Sequence, residues 1–139
     1  MTSCVLVPMD DSELSEQALR YALETHDDAE ITVMHVVGGP SSMLGEATAL
    51  ALEEDVEAAA EEHASEVLDW ARDIATEYDR DIETVIEMGR PAHAIVDRAE
   101  AFDTVVIGSH GSSLAERLFV GNVAQTVFRR CPVPVTIVR

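Results

Sequence analysis

A chain of 139 residues, 47% of them hydrophobic, is sized for one domain with a real core and is too apolar for a disordered segment. Twenty-seven acidic residues stand against nine basic ones, for a formal net charge of −18, which argues against nucleic acid and anionic membrane surfaces as partners. No run is long and apolar enough to cross a bilayer, and the first residues enter a strand pattern with no basic leader, so a cytoplasmic protein is expected.

The predicted elements follow in simple alternation. Residues 3–8 form an apolar strand, β1, followed by Asp10 and then Asp11-Ser12, a helix N-cap. Leu14, Ala18, Tyr21, Ala22 and Thr25 recur at helical spacing and predict α1, ending before Asp27-Asp28. Residues 31–37 form a β-branched strand, β2, broken by Gly38-Gly39-Pro40-Ser41-Ser42. A long helix, α2, is predicted over about residues 45–78, interrupted near its start. Its apolar stripe is Val56, Ala60, His63, Val67, Trp70, Ile74 and Tyr78, and its acidic face (Glu53, Glu54, Asp55, Glu57, Glu61, Glu62) reads as solvated surface.

Residues 82–88 alternate with polar residues, which suggests an edge strand, β3. Gly89-Arg90-Pro91 turns the chain, Pro91 suits a first helical position, and Ile95, Val96 and Ala99 face the core from α3. Residues 105–107 form β4; Val123, Ala124, Val127 and Phe128 mark α4; residues 133–138, entered through Cys131-Pro132, form β5. Such alternation builds an open five-stranded parallel sheet with helices on both faces, joined by right-handed crossovers, and residues 1–139 read as one domain. Ligands in open α/β sheets bind at the carboxyl ends of strands where the chain order reverses. With β1 and β4 as neighbours, Asp10, Val37 and Gly108 meet at that edge.

Three glycines at Gly-x2-Gly-x9-Gly spacing, Gly108, Gly111 and Gly121, surround the end of β4 and the start of α4. Glycine lets backbone N–H groups approach a ligand, and a helix start aims its free N–H groups and positive dipole end at the same space. Such an arrangement suits an anion, above all phosphate. A tight βα turn whose glycines serve geometry alone fits the spacing equally well. A P-loop is excluded, because it needs a lysine and all nine basic residues are arginine.

Other features are weaker. Cys4 and Cys131 read as buried free thiols, and two cysteines alone make no zinc site. His63 with Glu66, and His93 with Asp97, have helical spacing but read as surface pairs, so no metal site is assigned. His35 reads as a structural histidine; Met34, Met43 and Met88 read as core filler or loop residues. Ser109 and His110 are adjacent on one loop, which rarely yields nucleophile-to-base geometry. The acids are spread along the chain rather than gathered in a tail. Life at high salt, where the Debye length is about 3 Å at 1 M, explains that better than a basic partner protein.

Val5-Leu-Val-Pro8-Met-Asp10, His35-Val-Val37, Gly89-Arg-Pro91, the glycine motif and Cys131-Pro-Val-Pro-Val135 together resemble the universal stress protein family over the whole chain. The resemblance implies a homodimeric α/β domain of adenine-nucleotide alpha-hydrolase-like fold, strand order 3-2-1-4-5, that acts in stress response by nucleotide occupancy rather than turnover. It implies ATP as ligand in one subclass, with AMP as the alternative and Mg²⁺ as an accompanying ion.

By position, Asp10 and the backbone near Val36 would hold adenine or ribose, with Pro8 and Met9 packing nearby. Ile107, Gly108, His110 and Gly111 would line the phosphate loop, and Gly121, Asn122, Val123 and Ala124 would present the phosphate-facing helix start. Two positions depart from the family pattern. Asn122 stands where a hydroxyl is usual, and Ser112 where a basic residue is common. An empty or AMP-holding cleft in a dimeric interaction protein is therefore the competing reading, and hydrolysis would be slow at most. The apolar last strand suggests a dimer with β5 against β5, limited in register by Pro134.

Overall fold

Side chains of a strand alternate between its two faces, and here both faces are apolar. The computed structural model describes residues 2–38, 46–109 and 122–139. Its elements are β1 (Cys4–Pro8), α1 (Glu13–Thr25), β2 (Glu30–Val37), α2 (Glu46–Glu77), β3 (Glu83–Met88), α3 (Pro91–Ala99), β4 (Thr104–Gly108), α4 (Asn122–Arg130) and β5 (Val135–Val138). The strands form one parallel sheet in the order β3-β2-β1-β4-β5, as the resemblance implied.

Val5 and Val7 of β1, Ile31 and Val33 of β2 and Val106 of β4 pack on one face, against Leu19 and Ala22 of α1 and Val67, Leu68 and Ile74 of α2. Leu6, Met34, Val105 and Ile107 project the other way, against Ile95 and Ala99 of α3 and Ala124 and Val127 of α4. Burial on both faces is why β1 and β4 read as unbroken apolar runs. A fully buried Val or Leu contributes about 1.5–3 kcal/mol, so these central strands carry most of the apolar stabilisation.

Several expectations need correction. First, α2 is one continuous helix of 32 residues, with no interruption near its start. Its buried line is Ala64, Val67, Leu68, Ala71, Ile74 and Ala75, with Trp70 and Tyr78 at the margin. His63, placed on the stripe by its spacing, is exposed. Ala64, Ala71 and Ala75 are as fully buried as the large residues of this line, which a count of large apolar residues underrates. The side chain of Val56 and those of Glu53, Glu54, Asp55 and Glu57 lie outside the described residues; Glu61 and Glu62 are exposed. Second, β5 begins at Val135, because Pro134 has no N–H, although its carbonyl still accepts from the Val105 N–H at 3.0 Å. Third, Met88 is exposed on β3, which is the edge strand expected. The free cysteines Cys4 and Cys131 are half-buried rather than buried. Desolvation, then the Glu30 and Asp103 carboxylates, push the Cys4 thiol pKa up, away from the nucleophilic thiolate. No helix among the described residues is long and apolar enough to cross a membrane.

The amino ends of the strands are tied by polar groups. Asp103 Oδ2 accepts from the Cys4 N–H at 2.7 Å, the Asp103 N–H donates to the Cys4 carbonyl, and the Glu30 N–H donates to the Ser3 carbonyl. Arg80 follows α2 at a helix-terminating turn: Asp79 has φ +56°, and the Arg80 N–H donates to the Ala75 carbonyl. Its guanidinium spans three carbonyls at the end of α1, donating to Leu23 at 3.0 Å, His26 at 3.1 Å and Ala29 at 2.6 Å. Arg20 adds a second α1–α2 clamp, pairing with Glu16 at 2.9 Å and Glu77 at 2.8 Å.

Arg80→Ala removes three charge-assisted bonds to half-buried carbonyls and is expected to lower unfolding free energy by about 2–3 kcal/mol in urea melts. Arg80→Lys should recover only part of that, since a single ammonium cannot reproduce the planar fork. Equal stability of Lys and Arg at this position would show that charge alone matters.

Candidate functional site

β1 and β4 pair only at Val5–Thr104 and Leu6–Val105, whereas β1–β2 pairing runs on through Pro8–Met34. After Pro8 the chain turns into α1 on one face, and after β4 the next described element, α4, lies on the other. This divergence opens a cavity of about 340 Å³ at the carboxyl ends of β1, β2 and β4. Its size lies at the lower end of small-ligand clefts, about 300–1,000 Å³.

Each wall comes from a different element. Pro8, Met9 and Asp10 come from the end of β1, Met34, His35 and Val36 from the end of β2, and Ile107 and Gly108 from the end of β4. Ser12 and Ser15 enter from the start of α1, Pro91 and Ile95 from α3, and Val123 from the start of α4. Three helix N-termini thus face one hollow and bring positive potential into a strongly acidic chain. The α1 terminus is capped by Ser12, whose Oγ accepts from the Ser15 N–H at 3.1 Å. The cap residue of α3, Arg90, makes no side-chain cap bond.

Asp10 is partly buried at the rim, and its Oδ1 accepts from the Ser12 N–H at 2.8 Å. That bond turns the carboxylate along the wall. Met34 and Val36 of β2 and Ile107 of β4 offer apolar surface, and the Asp10 carboxylate offers a directional contact. The combination suits a small ligand with an apolar ring and hydroxyl groups.

Of the residues singled out in the sequence, Pro8, Met9, Asp10, Val36, Ile107, Gly108 and Val123 share this wall. Asn122 is exposed at the first position of α4, and the Ala124 side chain is buried in the core; neither is on the wall. His110, Gly111 and Gly121 lie outside the described residues. Ser109 is buried and off the wall, with its N–H donating to the Val138 carbonyl at 2.7 Å. His35 is buried and hydrogen-bonded as expected of a structural histidine, yet it also lines the cavity. Sequence reasoning missed Ser12, Ser15, Met34, Pro91 and Ile95 as wall residues. The cap at Ser12 and the helix-start proline at Pro91 were the available signals.

Gly108 serves packing as well as the cavity. A Cβ built there would lie 2.6 Å from the Leu14 carbonyl oxygen and 3.1 Å from the Ser15 nitrogen. The first turn of α1 rests directly on the backbone at the end of β4, which only glycine permits. The chain-geometry reading of this glycine is thereby met, and Gly108 also lines the cavity.

The family model described as the universal stress protein family matches residues 1–139. A universal stress protein of Methanocaldococcus jannaschii is 30% identical, the match covering 97% of this chain and 81% of that relative. Among solved structures, universal stress protein UspA from Lactobacillus plantarum has a TM-score of 0.79 at 26% identity, covering 99% of this chain and 97% of that one. A universal stress protein solved in complex with cAMP has a TM-score of 0.71 at 28% identity, covering 99% and 97%.

Gly108→Ala is expected to destabilise the fold by about 1–3 kcal/mol, since backbone rather than a flexible side chain must move. The measurement is the urea midpoint at unchanged slope. An unshifted midpoint would mean that α1 yields at no cost.

Proposed function

The chain belongs to the universal stress protein family, and from that premise we propose that it binds an adenine nucleotide in the cavity at the carboxyl ends of β1, β2 and β4. The observation that carries the reading is the convergence of Asp10, Val36, Gly108 and Val123 on one 340 Å³ hollow. In this reading the base packs against apolar side chains such as Met34 and Ile107. The Asp10 carboxylate and the backbone near Val36 accept from and donate to adenine or ribose. Phosphates run from the end of β4 at Gly108 towards the amides at the start of α4, with His110, Gly111 and Gly121 as further proposed contacts. The 28%-identical relative solved with cAMP supports an adenine ligand.

ATP is the preferred ligand on the glycine spacing, and AMP the alternative on the two departures at Ser112 and Asn122. Where Mg²⁺ accompanies the nucleotide, phosphate oxygens and water would be its main ligands. The protein signals by occupancy: a bound nucleotide changes the surface presented to a downstream partner. The second, non-nucleotide reading, a dimeric interaction protein with an idle cleft, draws on the same departures.

Protein purified in molar salt is expected to carry adenine nucleotide, read by mass analysis of the released ligand. Added ATP or AMP at one hundred times its Kd should stabilise the fold by about 2.7 kcal/mol, and Asp10→Ala should abolish that gain. Binding of ATP should strengthen as salt screens the net charge of −18. Neither co-purified nucleotide nor any thermal shift in high salt would end the reading.

The dimer is proposed through β5. It is the outermost strand beside β4, and its residues Val135 to Val138 are all only half-buried. An isologous pairing would cover this edge. Ile137→Glu is expected to give monomer in sedimentation with the secondary structure retained; an unchanged dimer would put the contact elsewhere.

A further inference from the structure

Three polar side chains are buried among the described residues: Ser15, His35 and Ser109. Two of them grip consecutive carbonyls of one short stretch. The His35 Nδ1 lies 3.0 Å from the Met9 carbonyl oxygen. A carbonyl only accepts, so Nδ1 carries the proton and donates. Ser15 Oγ stands 2.9 Å from both the Asp10 and the Ser12 carbonyl oxygens, which share its single proton. The Met9 N–H donates to the Met34 carbonyl at 2.8 Å, and the Asp10 carboxylate accepts from the Ser12 N–H. Residues 9–12, the whole link between β1 and α1, are thereby held from β2 on one side and from the first turn of α1 on the other.

Packing alone does not require this histidine. Position 35 shares its side of β2 with Val33 and Val37, and an aliphatic side chain there would fill space without desolvating a ring nitrogen. From the α2 side, the His63 ring meets His35 edge-on with centroids 5.6 Å apart, and His63 Nε2 stands 4.0 Å from Asp11 Oδ2. The imidazole is thus oriented from two directions.

We propose that His35 and Ser15 are positioning residues for the cavity: by gripping the Met9 and Asp10 carbonyls they fix where the Asp10 carboxylate stands before a ligand arrives. This assignment rests on the nucleotide reading and deepens it by naming what sets its acidic contact. Without the clamp, the link must be ordered at the moment of binding, which weakens affinity.

The test is calorimetric titration of AMP and ATP in molar salt against the full chain and the variants His35→Leu, His35→Asn and Ser15→Ala, with unfolding midpoints measured alongside. Asparagine places an amide N–H where Nδ1 stands; leucine has no donor. His35→Leu and Ser15→Ala should each weaken binding about tenfold. His35→Asn should recover most of the loss although its unfolding midpoint is no higher than that of His35→Leu. If affinity instead follows the midpoint, so that Asn binds no better than Leu, His35 is core packing and the proposal is overturned. Should His35→Leu fail to fold, Ser15→Ala and His35→Asn decide: tenfold loss in the first with near-native binding in the second supports the clamp, and native affinity in Ser15→Ala overturns it. Unmodified protein that takes up neither nucleotide overturns the cavity reading itself, a result distinct from bound nucleotide with unaffected variants.

Discussion

The structure depends on the place of β1 between two parallel neighbours whose chains depart to opposite faces. β1 sits between β2 and β4, and its pairing with β4 stops at Leu6–Val105. Pro8 contributes no N–H to prolong the ladder. α1 then packs on the face built from Val5 and Val7, and α4 on the face built from Leu6. The hollow lies between those two departures, where the strand order reverses. The chemistry of the site follows from which residues happen to end those strands: a carboxylate after β1, a histidine near the end of β2 and a glycine at the end of β4.

Gly108 shows how closely fold and site are joined. The absent side chain lets the first turn of α1 rest on β4, at a residue that also lines the cavity. α1 in turn delivers Ser12 and Ser15 to the wall and ties down Asp10. A change at one of these positions therefore reaches stability and site geometry together.

Much of this was legible in the residue order. The strands announced themselves because burial on two faces leaves unbroken β-branched runs, as in β1 and β4, and the polar alternation of β3 marked it correctly as an edge. Asp10, Gly108 and Val123 were legible as site residues because each lies at the end of a strand or the start of a helix. What stayed hidden depended on distance in three dimensions. Ile95 and Met34 look like any core residue until the topology brings α3 and β2 to one rim. His35 looked structural, and its bond to Met9 joins residues far apart in the chain. The stripe of α2 included the exposed His63 and passed over Ala64, Ala71 and Ala75, which are buried, because small residues carry a weak periodic signal.

The Arg80 fork and the Asp103 and Glu30 bonds all lie at the amino ends of the strands, opposite the cavity. They tie β1 to β4, β1 to β2, and the end of α2 to the end of α1. The molecule is thereby polarised along its strands: these ties stand at one end of the sheet and the cavity at the other, so that changes at the two ends should add rather than couple.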